Sequence, residues 1–168
     1  MANTYTAIAT VTVTGATAAT IGFTSIPATY TDLKLVCSTR DDRGGTQNGT
    51  NISLNGSTSN FTHKGIQGDG SATLASFSIP RFTNYNNAST STTNAFANNE
   101  IYFANYAWSN YKSFSSESAE ETNATTAYIL IGAHLWSDTA AITSITLTPD
   151  TANFVQYSTA TLYGIKNS

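Results

Sequence analysis

The chain has 168 residues, with seven basic and ten acidic side chains, a formal net charge of −3 and a pI near 5.1. That balance excludes a nucleic-acid surface, which needs clustered Lys and Arg; the basic residues are scattered from Lys34 to Lys166. One domain spanning 1–168 is expected, long enough to bury a core, and no apolar run approaches the roughly 18 residues of a membrane span.

The first element sets the pattern. From Thr4 to Thr14, the odd positions Tyr5 to Val13 carry the larger or apolar groups and the even ones are threonine, apart from Ile8. Alternation with a period of two predicts a strand with one buried and one solvated face, and threonine suits the solvated face because its branched Cβ stiffens χ1. A turn at Gly15–Thr17 leads to a second strand near 19–26, ended by Pro27, which cannot donate to a ladder. Asp32 to Arg40 is the next strand, with Leu33, Leu35 and Cys37 inward. A glycine-rich loop at 41–50 follows. Ile52 and Leu54 form a short strand, and Asn55-Gly56 is a hairpin signal because both residues tolerate positive φ. Strands are expected near 60–67 and 73–79, the latter stopped by Pro80.

Residues 81–99 are polar and low in complexity, predicting a second long loop, mobile when free in solution, that is either a contact loop or partly ordered by a partner. Removing 87–93 is expected to leave the fold intact. Further strands are placed at 100–105, 111–118, 126–136, 141–148 and 156–165, with a turn at 120–123. About eleven strands, some ten residues apart with no convincing helix, predict an all-β, jelly-roll-like antiparallel sandwich.

The chain is poorly stocked for chemistry. His63 lies beside Lys64 on a polar strand and His134 between Ala133 and Leu135; each is expected to be structural, because a catalytic triad needs a nucleophile, a base and an orienting acid together. Two histidines cannot make a three-histidine zinc site. Cys37, the single cysteine, excludes an intrachain disulfide and shares a face with Leu33 and Leu35, so burial is expected. Paired carboxylates, Asp41-Asp42 and Glu117, Glu120, Glu121, are read as solvated edges rather than as a glycosidase pair. Calcium at Asp41-Asp42 is set aside because the EF-hand spacing is absent. Gly65-x-x-Gly68-x-Gly70 is a turn, since no strand-to-helix context follows. No enzymatic activity, cofactor or metal is therefore expected. The Asn-x-Ser/Thr triplets at Asn48, Asn51, Asn55, Asn60, Asn87 and Asn123 follow from composition, Thr, Ser and Asn supplying 65 residues. Met1-Ala2-Asn3-Thr4 opens with neither a basic start nor an apolar h-region, so no signal peptide is expected and synthesis is placed in a host cytoplasm.

Aromatics are the richer signal: nine Tyr, eight Phe and two Trp. Most are core. Trp108, Tyr111, Tyr102 and Tyr106 bracket a loop, and Tyr85 lies in the long polar segment. Exposed rings there are interface anchors or sugar-stacking platforms. Arg43, Arg81, Tyr85, Trp108 and Tyr111 are the candidate subunit-contact residues.

The last strands, Ala140-Ala141-Ile142-Thr143-Ser144-Ile145-Thr146-Leu147-Thr148 and Asn153-Phe154-Val155-Gln156-Tyr157-Ser158-Thr159-Ala160-Thr161-Leu162-Tyr163-Gly164-Ile165, together with Phe23-Thr24-Ser25-Ile26-Pro27-Ala28-Thr29-Tyr30-Thr31-Asp32-Leu33 and Ser109-Asn110-Tyr111-Lys112-Ser113-Phe114, resemble a family of small virion structural proteins of tailed bacteriophages. The likeness covers nearly the whole chain, loops 41–60 and 81–99 least, and no catalytic residues define the family. It implies a virion component, foremost a capsid decoration or cement protein acting as a homotrimer against the major capsid protein. The alternatives are a tail-fibre or tail-tip protein that binds host-surface glycans, and a free carbohydrate-binding module.

Overall fold

Residues 4–71, 73–122 and 127–166 are described by the computed structural model. Among them the chain forms fourteen strands and no helix: β1 (Tyr5–Thr12), β2 (Thr17–Ala18), β3 (Ile21–Phe23), β4 (Asp32–Thr39), β5 (Gln47–Leu54), β6 (Phe61–Gly68), β7 (Ala75–Phe77), β8 (Phe82–Asn87), β9 (Ala97–Phe103), β10 (Lys112–Glu120), β11 (Tyr128–Trp136), β12 (Ile145–Pro149), β13 (Phe154–Val155) and β14 (Thr159–Ile165). An eight-stranded sheet runs β1-β14-β4-β9-β10-β11-β6-β7, a four-stranded sheet β3-β12-β5-β8, and β2 with β13 forms a ribbon. All the ladders are antiparallel, and six of them nest. β6 pairs with β7, β5 with β8 and β4 with β9; outside these, β3 pairs with β12, β2 with β13 and β1 with β14. Successive pairs fall in different sheets, which is the wound-hairpin topology of a jelly-roll sandwich.

The interior changes character from end to end. Inward residues of β4 read Leu33, Leu35, Cys37, Thr39, and Asp41 follows; those of β10 read Phe114, Ser116, Ser118, Glu120; those of β5, in reverse, read Leu54, Ile52, Thr50, Asn48. At one end Ile101, Phe103, Trp136, Ile145 and Leu147 complete an apolar core. At the other the sheets are joined by hydrogen bonds between buried side chains, because buried polar groups there have only one another as partners.

Several expectations need correction. The alternating first strand is not half-buried. β1 is an edge strand, and a bulge at Ile8, between the pairs Ala7–Tyr163 and Ala9–Leu162, breaks the alternation. Ile8 and Val11 touch the core while Tyr5 stays exposed. Asn55-Gly56 does turn the chain, with φ of 52° and 73°. Yet β5 and β6 do not pair, because the turn carries the chain from one sheet to the other. The expected loop at 41–50 is half strand, since β5 begins at Gln47.

The loop expected at 81–99 is the larger miss. Its first part is β8, buried on both faces: Asn86 and Asn87 are fully buried, as is Ala88. The rest is tied down by Arg40, whose guanidinium donates to Ser91 Oγ, Thr92 O and Ala95 O at 2.8–3.0 Å. Removing 87–93 would therefore cut a core strand. The turn at 120–123, the start of the strand at 126, the triplet at Asn123 and the residues Met1–Asn3 fall wholly or partly outside the described residues.

Candidate functional site

The outer face of the large sheet carries the most unusual surface. β11 is apolar on both sides: Leu130 is buried, whereas Ile129 and Ile131 point outward and are 57 % and 51 % exposed. Ile131 sits opposite Ile66 of β6 in the ladder. Leu74, just before the three-residue edge strand β7, extends the exposed apolar surface, and Ile79 beyond that strand is half exposed. Ile66, Phe77, Ile131 and Ala133 line a shallow depression of about 640 Å³, and a second of about 190 Å³ lies between Ile66, Leu74, Ile129 and Ile131. The sequence carried a signal for this, the uninterrupted run Ile129-Leu130-Ile131. Alternation shows which residues share a face, not which faces stay uncovered. Further along the same face the surface becomes polar, with Lys34 paired to Glu100 at 2.6 Å.

Two of the five candidate contact residues form a second exposed feature. Trp108 and Tyr111 are 62 % and 57 % exposed on the segment between β9 and β10. That segment is fixed from beneath by Lys112. Its side chain is buried, and its ammonium donates to Trp108 O at 2.7 Å, to Thr139 O at 3.3 Å and to Asn110 O. Burial lowers the Lys112 pKa, but three carbonyl acceptors satisfy the three donors of the charged form.

The other three candidates do not join that surface. Exposed Arg43 spends a guanidinium N–H on Gln47 O within its own turn at 2.8 Å. Arg81, with φ of 67°, donates from Nε to Ile52 O at 2.8 Å and so fastens β8 to β5. Half-buried Tyr85 packs its ring against Phe82 and Tyr128 and donates its hydroxyl proton to Gln67 Oε1 at 2.7 Å. These three hold the fold.

Ser116 Oγ lies 2.8 Å from His134 Nε2, the spacing of a nucleophile and its base. Both residues are nearly fully buried, and the imidazole stacks on Phe114 at 4.6 Å. Burial first, and neighbouring His63 second, lower the His134 pKa to about 3, so the ring is neutral and a poor base. His63, 4.8 Å away between ring centroids, accepts a hydrogen bond from Ile79 N on Nδ1 and is also held below its ordinary pKa, chiefly by burial. Both rings fold over glycines: a Cβ on Gly65 would stand 2.8 Å from His63, and one on Gly132 2.7 Å from His134 and from Ser116. These contacts are packing. Burial likewise pushes the Cys37 thiol up to about 12, which leaves it unreactive. Among the described residues no three His, Cys, Asp or Glu side chains come together as a metal-binding group.

The buried polar end is an extended network. Thr39 donates to Asn86 Oδ1 at 2.7 Å and accepts from Asn99 Nδ2 at 3.0 Å; Ser118 donates to Asn99 Oδ1 at 2.7 Å. Asn86 Nδ2 reaches Thr50 Oγ1 at 2.7 Å and Asp41 Oδ2 at 3.1 Å, while Asp41 Oδ1 accepts from Arg43 N. Burial raises the Asp41 pKa against those hydrogen bonds. Glu120, 1 % exposed at the end of β10, is different: both its carboxyl oxygens are buried without a hydrogen bond. Burial, then the charges of Glu121 and Asp41, push its carboxyl up to about 8.

No protein-family model and no curated protein matches the chain. Among solved structures it is similar to the galectin LEC-6 of Caenorhabditis elegans, at 6 % identity over 94 % of this chain and 96 % of that one, with a TM-score of 0.34.

Proposed function

We propose that this chain is a non-enzymatic structural protein of a tailed-phage virion, a capsid decoration or cement protein that binds the head lattice as a homotrimer. The observation that carries this reading is the exposed apolar face of Ile66, Leu74, Ile129 and Ile131. Monomeric proteins seldom leave such a contiguous patch to water, and a flat, shallow one suits a protein surface better than a small substrate. Covering the exposed half of each side chain contributes about 1 kcal/mol apiece, given ~1.5–3 kcal/mol for full burial. Summed over several subunits, that binding free energy is what a cement protein adds to a shell. The Ser116–His134 pair, sealed and with no acid bonded to the imidazole among the described residues, supports the non-enzymatic reading. The sequence resemblance supplies the virion; fold alone does not supply function.

The second reading, a tail protein that binds host-surface glycans, is favoured by Trp108 and Tyr111, exposed on a segment that Lys112 holds rigid. Cryo-EM of intact virions distinguishes the two. Density for this fold at lattice junctions of the head, with the Ile129–Ile131 face against a neighbour, supports the first reading. Density at the tail tip with Trp108 outermost supports the second, and absence from purified virions refutes both.

A further inference from the structure

The interior at the end of β10 holds more acceptor oxygens than donors. Gln47 Oε1, Asn87 Oδ1 and both Glu120 carboxyl oxygens are buried with no hydrogen-bond partner, against one unpartnered donor in the same ladder, Asn48 Nδ2. They come from three strands that meet there, β5, β8 and β10. Gln47 and Asn87 face each other across the β5–β8 ladder. Asn87 Nδ2 donates to Glu121 O at 3.3 Å, which brings its side chain to the end of β10 where Glu120 points inward. That donor bond also fixes the Asn87 amide, so turning it over cannot remove the orphaned oxygen. Asp41 lies alongside, its backbone N–H donating to Asn87 O at 2.9 Å.

No cationic side chain answers these oxygens. The adjacent guanidinium of Arg40 spends its donors on Ser89 O, Ser91, Thr92 O and Ala95 O. Tyr85 spends its hydroxyl on Gln67. A carboxylate with amide oxygens around it and no positive partner is the donor set of a hard, oxygen-seeking cation. Glu120 also borders an open pocket of about 500 Å³ that Asp69 and Glu121 line. We propose that Glu120, Asn87 and Gln47 form a binding site for one calcium-class cation, which pins β10 to the β5–β8 ladder and the 88–96 segment.

The test uses the full-length protein dialysed against chelator and titrated with calcium chloride, followed by calorimetry and by the melting temperature. Saturable binding of one ion per chain with a rise in melting temperature is expected. Glu120→Gln, close in shape, should weaken binding on the order of 100-fold, since even outer-shell losses cost ~10–100-fold. Gln47→Leu removes one amide oxygen, leaves the Glu120 carboxylate, and should weaken binding by about tenfold; it keeps the test decisive if the buried Glu120 variant does not fold. A wild-type protein with no saturable response up to millimolar calcium overturns the site. So does unchanged calcium affinity in both variants. A calcium-insensitive parent less stable than Glu120→Gln overturns it as well, and assigns the place to a proton on Glu120.

Discussion

Lowering the pH from 7.5 to 4.5 should destabilise the protein through His134, and the size of the effect follows from its surroundings. The imidazole is 4 % exposed, stacked on Phe114, bonded to Ser116 and beside a second imidazole, and its pKa falls to about 3 from an ordinary 6.5. A histidine whose folded pKa is depressed takes up its proton more readily in the unfolded chain. Its contribution is therefore complete above pH 6.5, shrinks as the pH falls below that value, and levels off near 3. Each unit costs about 1.36 kcal/mol, so the ceiling at pH 4.5 is about 2.7 kcal/mol. Rearrangement and water entry around the charged ring reduce this to roughly 1.5–2.5 kcal/mol. Urea unfolding of the parent and of His134→Gln, at both pH values, isolates the effect from that of the carboxylates. The variant loses stacking and so should be about 1–2 kcal/mol weaker at pH 7.5, but it should lose less stability than the parent on acidification, by roughly 1.5–2.5 kcal/mol. Parallel losses in the two proteins would refute the argument that His134 is held neutral by the fold.

Asn86→Leu keeps the volume of the side chain but leaves Asp41, Thr39 and Thr50 each short of a partner, and should cost about 3–5 kcal/mol in the same unfolding assay. Arg40→Met removes the donors that hold Ser91, Thr92 and Ala95, and should raise amide hydrogen exchange across 88–96 with little change in the β4–β9 ladder. Light scattering should show a closed oligomer, a trimer by preference, which Ile131→Lys dissociates without unfolding; a stable monomer at micromolar concentration that stays unassociated on capsids would count against the contact face.

Strand content was legible wherever one face is apolar. Leu33, Leu35 and Cys37 in β4 follow from the pleat, which is local geometry that any half-buried strand shares. Phe82–Asn87 was not legible as a strand. Its burial depends on Thr39, Asp41, Thr50 and Gln67, all distant in sequence, and on polar partners that no hydrophobic pattern records. The candidate site divides in the same way. Trp108 and Tyr111 stood out by residue type and are exposed. Arg40 was missed as the anchor of 88–96, because nothing near it in sequence shows which carbonyls it will meet.

The sequence by itself determined an all-β chain, its turn at Asn55-Gly56, and the poverty of its catalytic side chains. Tertiary structure decided which strands pair, that β5 and β6 part company after their turn, and that the polar segment after Arg81 is buried. It also decided that Ile129 and Ile131 face solvent although Leu130 between them is buried. Alternation is fixed residue by residue along a strand. Whether a face is covered depends on the sheet that the rest of the chain lays across it.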